Sequence, residues 1–155
     1  EEITLNVSQN QINVVGSVFS FTSKLIEGNY PDYEKVFPVG DESKLIVDKN
    51  EFNTALSRAS VLSNEKYRGI RLSLNKDLLK IEANNPEKES AEEEIKVDYS
   101  GPELEIGFNI SYLQESLTTI KDLSAEIVFF GQESSCIVKN KENEDLIHVI
   151  MPMRL

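Results

Sequence analysis

Two side chains with the chemistry of a hydrolase occur once each in this chain, Cys136 and His148. A thiolate nucleophile and an imidazole base are a workable pair, and both fall on predicted strands joined by a turn, where they could face each other. Alternation instead puts Cys136 with Val138 on a core face, and no third group is placed to orient the imidazole. Both are therefore read as structural, and no catalytic residue is assigned. A phosphate-cradling glycine loop and zinc-ligand spacing are missing from the sequence. A third possibility is the acidic run Glu87, Glu89, Glu92, Glu93 and Glu94, because carboxylates bind hard cations. Consecutive strand positions point to opposite faces, so Glu92 and Glu94 diverge from Glu93. The run reads better as a solvated face or a docking strip for a basic partner. Neither a metal nor a cofactor is expected.

The most informative stretch is the last one, His148-Val149-Ile150-Met151-Pro152-Met153-Arg154-Leu155. Chain ends loosen unless something holds them, and this one is too apolar to be left in water. Pro152 cannot donate to a sheet ladder, so a strand is expected to run into a short non-strand tail. Two flexible thioethers and a terminal leucine would line an adaptable hydrophobic groove.

The totals set limits. The 27 acidic and 16 basic side chains of the 155 residues leave a formal charge of −11, which argues against tight electrostatic capture of nucleic acid or anionic membrane. A single cysteine excludes an internal disulfide framework and predicts a reducing compartment such as the cytoplasm. No apolar run approaches the roughly 18 residues that suggest a membrane span.

The elements that would position these residues repeat. Lys44 to Val47 reads as a strand, Asp48 as a helix cap with Glu51 in the first turn, and Asn50 to Ser63 as an amphipathic helix carrying Phe52, Ala55, Leu56, Ala59 and Leu62. Strands are expected at Tyr67 to Leu74, Leu78 to Ala83 and Ala91 to Tyr99, with Asn75-Lys76-Asp77 turning between the first two. The same order returns with a strand at Leu104 to Phe108, Asn109 as cap, and a helix marked by Ile110, Leu113, Leu117 and Ile120. Strands at Ala125 to Phe130, Ser134 to Lys139 and Leu146 to Met151 follow, the last two joined by the polar turn Asn140-Lys141-Glu142-Asn143-Glu144. The unit is β-α-β-β-β written twice, which predicts a pseudo-twofold α+β domain with two helices on antiparallel sheets.

The first 25 residues fall outside both copies. Ile3, Leu5 and Val7 alternate, Ser8 to Gln11 turns, and Ile12, Val14, Val18 and Phe19 continue an extended segment. This is the pattern of a closing hairpin from an earlier copy. Two strands bury too little to fold alone, so the chain is expected to be the C-terminal piece of a longer protein. Gly28 to Tyr33 would be the connector, with Pro31 holding its predecessors extended.

The segments Phe21-Thr22-Ser23-Lys24-Leu25, Pro31-Asp32-Tyr33, Leu62-Ser63-Asn64-Glu65-Lys66-Tyr67-Arg68-Gly69, Ala83-Asn84-Asn85-Pro86, Tyr99-Ser100-Gly101, Ile106-Gly107-Phe108-Asn109 and Met151-Pro152-Met153-Arg154-Leu155 span nearly the whole chain. In this order they resemble the bacterial sliding clamps, the beta subunits of DNA polymerase III. The resemblance implies a DNA-clamp fold in a ring of two subunits with three domains each, a non-catalytic processivity factor of the polymerase holoenzyme. Residues 1–35 would be the end of the second domain with its connector, and 36–155 the third domain. It also implies a groove that takes short motifs of the polymerase III alpha subunit, the clamp loader and repair proteins, matched here by Pro31, Lys35, Val36, Tyr67, Asn109, Tyr112, Ser135, Val149, Ile150, Met151, Pro152, Met153, Arg154 and Leu155. Lys35 and Glu133 depart from the residues common in relatives. The ring seam would use Val61 and Leu62 with Glu87, Glu89, Glu92 and Glu93 on an acidic edge. Arg58 and Lys121, taken as exposed cations on the inner helices, would meet the phosphates of encircled duplex DNA weakly. Topological capture also reconciles an acidic chain with DNA. The full-length protein would be a homodimer and this chain alone monomeric or weakly associating, with no membrane partner. The rival is a scaffold domain that binds linear peptides without DNA.

Overall fold

The computed structural model describes residues 2–64, 66–142 and 146–154. Two compact units are present, residues 1–33 and 34–155. The first is a three-stranded antiparallel sheet, β1 (Thr4–Val7), β2 (Gln11–Val15) and β3 (Ser20–Lys24), in that spatial order. The expected hairpin thus has a third strand. Gln11 belongs to β2 rather than to the turn, and Val18 and Phe19 lie in the β2–β3 turn, closed by the Gly16 N–H on the Phe19 carbonyl at 2.9 Å. A Cβ on Gly16 would lie 2.4 Å from the Phe19 ring, so a larger residue there would have to push that half-exposed aromatic aside. Its Phe-Thr-Ser-Lys pattern hides β3, because Phe21 is its only strongly apolar residue. A 3₁₀ turn, Tyr33–Val36, lies at the boundary between the units.

In the second unit, β4 (Ser43–Asp48) leads into α1 (Lys49–Ser60), then β5 (Gly69–Asn75), β6 (Leu78–Asn84), β7 (Ser90–Lys96) and a two-residue β8 (Asp98–Tyr99). The second copy supplies β9 (Leu104–Asn109), α2 (Ile110–Thr119), β10 (Ser124–Phe129), β11 (Cys136–Asn140) and β12 (Ile147–Ile150). Each helix opens as its cap predicts. Asp48 accepts from the Glu51 N–H at 2.8 Å, and Asn109 from the Ser111 N–H at 2.9 Å. α1 stops at Ser60 rather than Ser63, because the N–H groups of Val61, Leu62 and Ser63 turn to carbonyls three residues back and tighten the last turn.

The sheets combine the two copies. One has the order β12-β11-β10-β4-β8 and the other β7-β6-β5-β9, all pairs antiparallel. Each repeat therefore gives its first strand to the sheet of the other. The helix starts mark the same pseudosymmetry: the Lys49 N–H donates to the Leu123 carbonyl just before β10, and the Ile110 N–H to the Arg68 carbonyl just before β5, both at 2.9 Å. The Lys49 ammonium also donates to the Ile120 carbonyl at 2.9 Å, satisfying an acceptor at the end of α2.

One continuous core lies between the sheets and the helices, which bury Phe52, Ala55, Leu56 and Ala59 from α1 and Ile110, Leu113 and Leu117 from α2. Phe108 and Phe129, one from each sheet, meet at 6.5 Å between ring centres. The expected strand from Ala91 to Tyr99 breaks at Val97, where the chain leaves β6 and pairs instead with β4, Tyr99 opposite Leu45. Tyr99 is fully buried, and its hydroxyl donates to the Pro102 carbonyl at 2.6 Å. Gly101 lets that ring in, since a Cβ there would lie 2.6 Å from the hydroxyl and 2.7 Å from Cζ. No helix among the described residues is long and apolar enough to cross a membrane.

Candidate functional site

The end of the chain behaves as its composition predicts. β12 stops at Ile150, Met151 and Pro152 leave the ladder, and the Met153 N–H then donates to the Gly107 carbonyl on β9 at 2.9 Å. The tail covers an otherwise open edge of the β7-β6-β5-β9 sheet. β8 covers the equivalent edge of the other sheet, on β4. There the buried Tyr99 ring plugs the seam, whereas Met153 is only half-buried and Met151 is 70 % exposed. The second copy therefore leaves a concavity where the first is sealed.

The neighbouring loop is held by two asparagines. Asn64 Oδ1 accepts from the N–H groups of Lys66 at 2.9 Å and Tyr67 at 3.1 Å. Asn109, while capping α2, donates from Nδ2 to the Tyr67 carbonyl at 3.3 Å. Arg68, at φ 47°, donates from Nη1 to Ser111 Oγ at 3.1 Å. Tyr67 thus precedes β5 instead of opening it, and its ring is 56 % exposed with the Lys66 ammonium 5.2 Å above the ring centre.

Besides a depression of about 360 Å³ where Met153 and Arg154 meet Gly107 and Glu133, two more lie around β12 and the tail. One of about 300 Å³ is lined by Asn64, Tyr67, Gly69, Asn84, Met153 and Arg154. The other, of about 640 Å³, lies between the exposed face of α2 and β12, with Tyr112 on one wall and Val149 and Ile150 on the other. The structure thereby brings Tyr67 to Met153 and Arg154, and Tyr112 to Val149 and Ile150, with Asn109 fixing the loop between them. Lys35, Val36 and Ser135 line neither depression, and Pro31 is an exposed residue of the first unit. Leu155 lies outside the described residues, as do Asn143 and Glu144 of the expected polar turn. Glu133 and Arg154 approach to 3.9 Å at the surface, a separation at which exposed ions contribute little. Sequence reading passed over Asn64, Gly69 and Asn84 on one side and Ile147 and Thr119 on the other. The helix period of α2 could have found Thr119, one turn beyond Glu115 on the face of Tyr112.

Cys136 does not face His148. It stands opposite Ile150, and His148 opposite Val138, in a register set by the pairing of β11 with β12. Burial pushes the Cys136 thiol up to about 12, so it stays protonated, and His148 Nε2 is engaged with Thr119 Oγ1 at 2.6 Å.

The acidic run divides as alternation requires. Glu92 turns outward to the Lys80 ammonium at 2.9 Å, whose hydrogen bond raises the lysine above its ordinary range. Glu93 turns toward α1, where Arg58 donates from Nε at 2.8 Å and from Nη2 at 2.6 Å. This fork holds the Glu93 carboxyl below its usual range and Arg58 above its own. Glu89 accepts from Asn85 Nδ2 at 2.7 Å, and Glu87 is exposed in the β6–β7 turn. One expectation about the cations needs correction: Lys121 is exposed but lies past the end of α2, in the loop before β10, where its backbone N–H donates to Asn140 Oδ1 at 2.9 Å. Arg58 is exposed on α1, with its guanidinium paired to Glu93.

A doubled β-α-β-β-β domain with shared sheets and an apolar tail docked on a sheet edge defines a clamp-type α+β domain. Residues 34–154 match the family model for the DNA polymerase III beta subunit, C-terminal domain. The chain is 47 % identical over 154 residues to the beta sliding clamp of Pseudomonas aeruginosa and 40 % identical over 153 residues to that of Escherichia coli. It covers 99 % of itself and 42 % of each relative, so it spans less than half their length. The crystal structure of the DNA polymerase III subunit beta from Pseudomonas aeruginosa superposes with a TM-score of 0.93 at 46 % identity, over 99 % of this chain and 42 % of that one. The chain belongs to the DNA polymerase III beta subunit family, the bacterial sliding clamps.

Proposed function

We propose that this chain is the C-terminal part of a sliding clamp, a non-catalytic processivity factor that encircles duplex DNA in the cytoplasm and tethers polymerase to it. Residues 1–35 are the end of the second domain and its connector, and 36–155 the third domain. The full-length protein is a ring of two subunits. What supports the reading is above all the agreement along 99 % of the chain with a beta-subunit structure at a TM-score of 0.93.

The partner site in this reading is the surface around the tail, with Tyr112, Val149 and Ile150 on one side and Tyr67, Met153 and Arg154 on the other. Half-exposed aromatic rings and thioethers over a core-anchored strand suit short apolar motifs such as those of a polymerase alpha subunit or a clamp loader. Met153 can repack, which fits one site serving several partners. Lys35, Val36 and Ser135 would extend the groove beyond these depressions. The ring seam in this reading is the end of α1, where Val61 is 77 % exposed, together with the free acidic edge β7. An open strand edge is either protected or paired, and here a basic strand of a second subunit would pair with it.

The test uses the full-length protein carrying this chain, loaded on nicked circular DNA. Retention on the circle and loss on linearisation are expected. Equal loss from both forms would show that the protein binds DNA by contact, not by enclosure.

A further inference from the structure

Arg58 sits in the last turn of α1 and holds two things at once. Its carbonyl accepts the N–H of Val61 at 3.3 Å, and its guanidinium grips Glu93 of β7 through two nitrogens. The first contact fixes the turn that carries Val61 and Leu62, and the second fixes that turn to the edge strand. Glu93 points to the helix and is held there by Arg58, while Glu87 and Glu89 lie on the turn and Glu92 on the outer side of the edge, where it meets Lys80 of the neighbouring strand. A paired fork is geometrically specific in a way that a lysine contact is not.

We infer that Arg58 and Glu93 form a positioning clasp, which sets the apolar end of α1 and the acidic edge β7 at one fixed spacing, so that a single edge strand of a second full-length copy meets both. This rests on the ring-seam reading above. Glu93 then belongs to the frame of the interface rather than to the charges it offers a partner, and Arg58 serves the seam and not the DNA. A clasp of this kind leaves the domain's own stability nearly untouched, since exposed pairs contribute little to folding. Its effect falls on association, where a misplaced half of the surface cannot be engaged.

The experiment measures dimer dissociation of the full-length protein by sedimentation and by subunit exchange. The variants are Arg58→Ala, Arg58→Lys, Glu93→Gln, the charge exchange Arg58→Glu with Glu93→Arg, and Val61→Ala with Leu62→Ala. Arg58→Ala and Glu93→Gln should each raise the dissociation constant by about threefold or more, a coupling of ordinary size for residues in one network. Arg58→Lys should restore only part of the affinity, the charge exchange most of it, and melting temperatures should stay near that of the parent. If Glu93→Gln weakens the dimer while Arg58→Ala does not, and the exchange fails to rescue, Glu93 binds the partner directly and the clasp is wrong. If Val61→Ala with Leu62→Ala weakens the dimer but neither clasp variant does, the seam stands without the clasp. If the Val61 and Leu62 substitutions also leave the dimer as tight as its parent, the seam reading itself is overturned.

Discussion

Met153 reaches back to Gly107 through a single backbone hydrogen bond of 2.9 Å, and that bond fixes the chain end against β9. Gly107 brings no side chain that would hold the thioether off. Among the described residues this bond ties the tail to β9, with the exposed Met151 before it and Arg154 after it.

Deleting Met153 to Leu155, or Tyr112→Ala, should weaken binding of a clamp-binding peptide by about 1 kcal/mol or more, the threshold that separates anchoring residues from rim contacts. Calorimetry with the parent and both variants measures this. Equal affinities would mean that the tail is a strand end and nothing more.

Asn64→Ala should loosen Tyr67 by removing the acceptor for two N–H groups at the head of the loop. A loss of about 1 kcal/mol in stability is expected, as for other side-chain caps of this type. Amide exchange at Lys66 and Tyr67 should accelerate with little change at Leu72 or Ile81.

Cys136 gives a pH dependence of defined sign. Its thiol ionises near 9.0 when solvated and is pushed up to about 12 by burial in the fold. Between those values the unfolded chain gives up a proton that the native one keeps, so stability present below pH 9 falls as pH rises, by up to about 1.4 kcal/mol per unit. Denaturant melts across that window, with Cys136→Ala as reference, isolate the contribution. A thiol reagent at pH 8 should label the native protein only as fast as it unfolds.

Gly101→Ala should destabilise the domain by about 1–3 kcal/mol, since the new methyl meets the hydroxyl of the fully buried Tyr99 at 2.6 Å. Tyr99→Phe should cost less, about 0.5–1.5 kcal/mol for the hydrogen bond to Pro102. Thermal unfolding that ranks the two in the opposite order would show the Tyr99 pocket to be looser than its packing implies.

The helices were readable because caps and period act within a few residues. Asp48 and Asn109 declare the starts, and Phe52, Leu56, Leu113 and Leu117 declare the buried faces. The break at Val97 was not readable, because Asp98 and Tyr99 continue the alternation of β7 and only the presence of β4 draws them away. For the same reason β3 escaped notice in a segment whose exposed residues are mostly small and polar. At the candidate site, the tail followed from its composition and Tyr112 from the resemblance to the clamp family. The partners Asn64 and Asn84 did not follow, since they arrive from loops and strands whose spatial neighbours no local pattern encodes. Arg58 shows the same limit, for its charge is plain in the sequence and the carboxylate that claims it is 35 positions away.

The exchange of β4 and β9 between the two copies makes the duplication irreversible in a physical sense. Each half would keep a helix but lose a strand of its own sheet, β9 from the edge of one and β4 from within the other, so a cut in the link from Ser100 to Glu103 leaves two pieces with incomplete sheets and a divided core. They should fold only by finding one another, as a swapped dimer does. What holds the halves as one body is interlocked pairing, and the covalent link serves chiefly to keep them in reach.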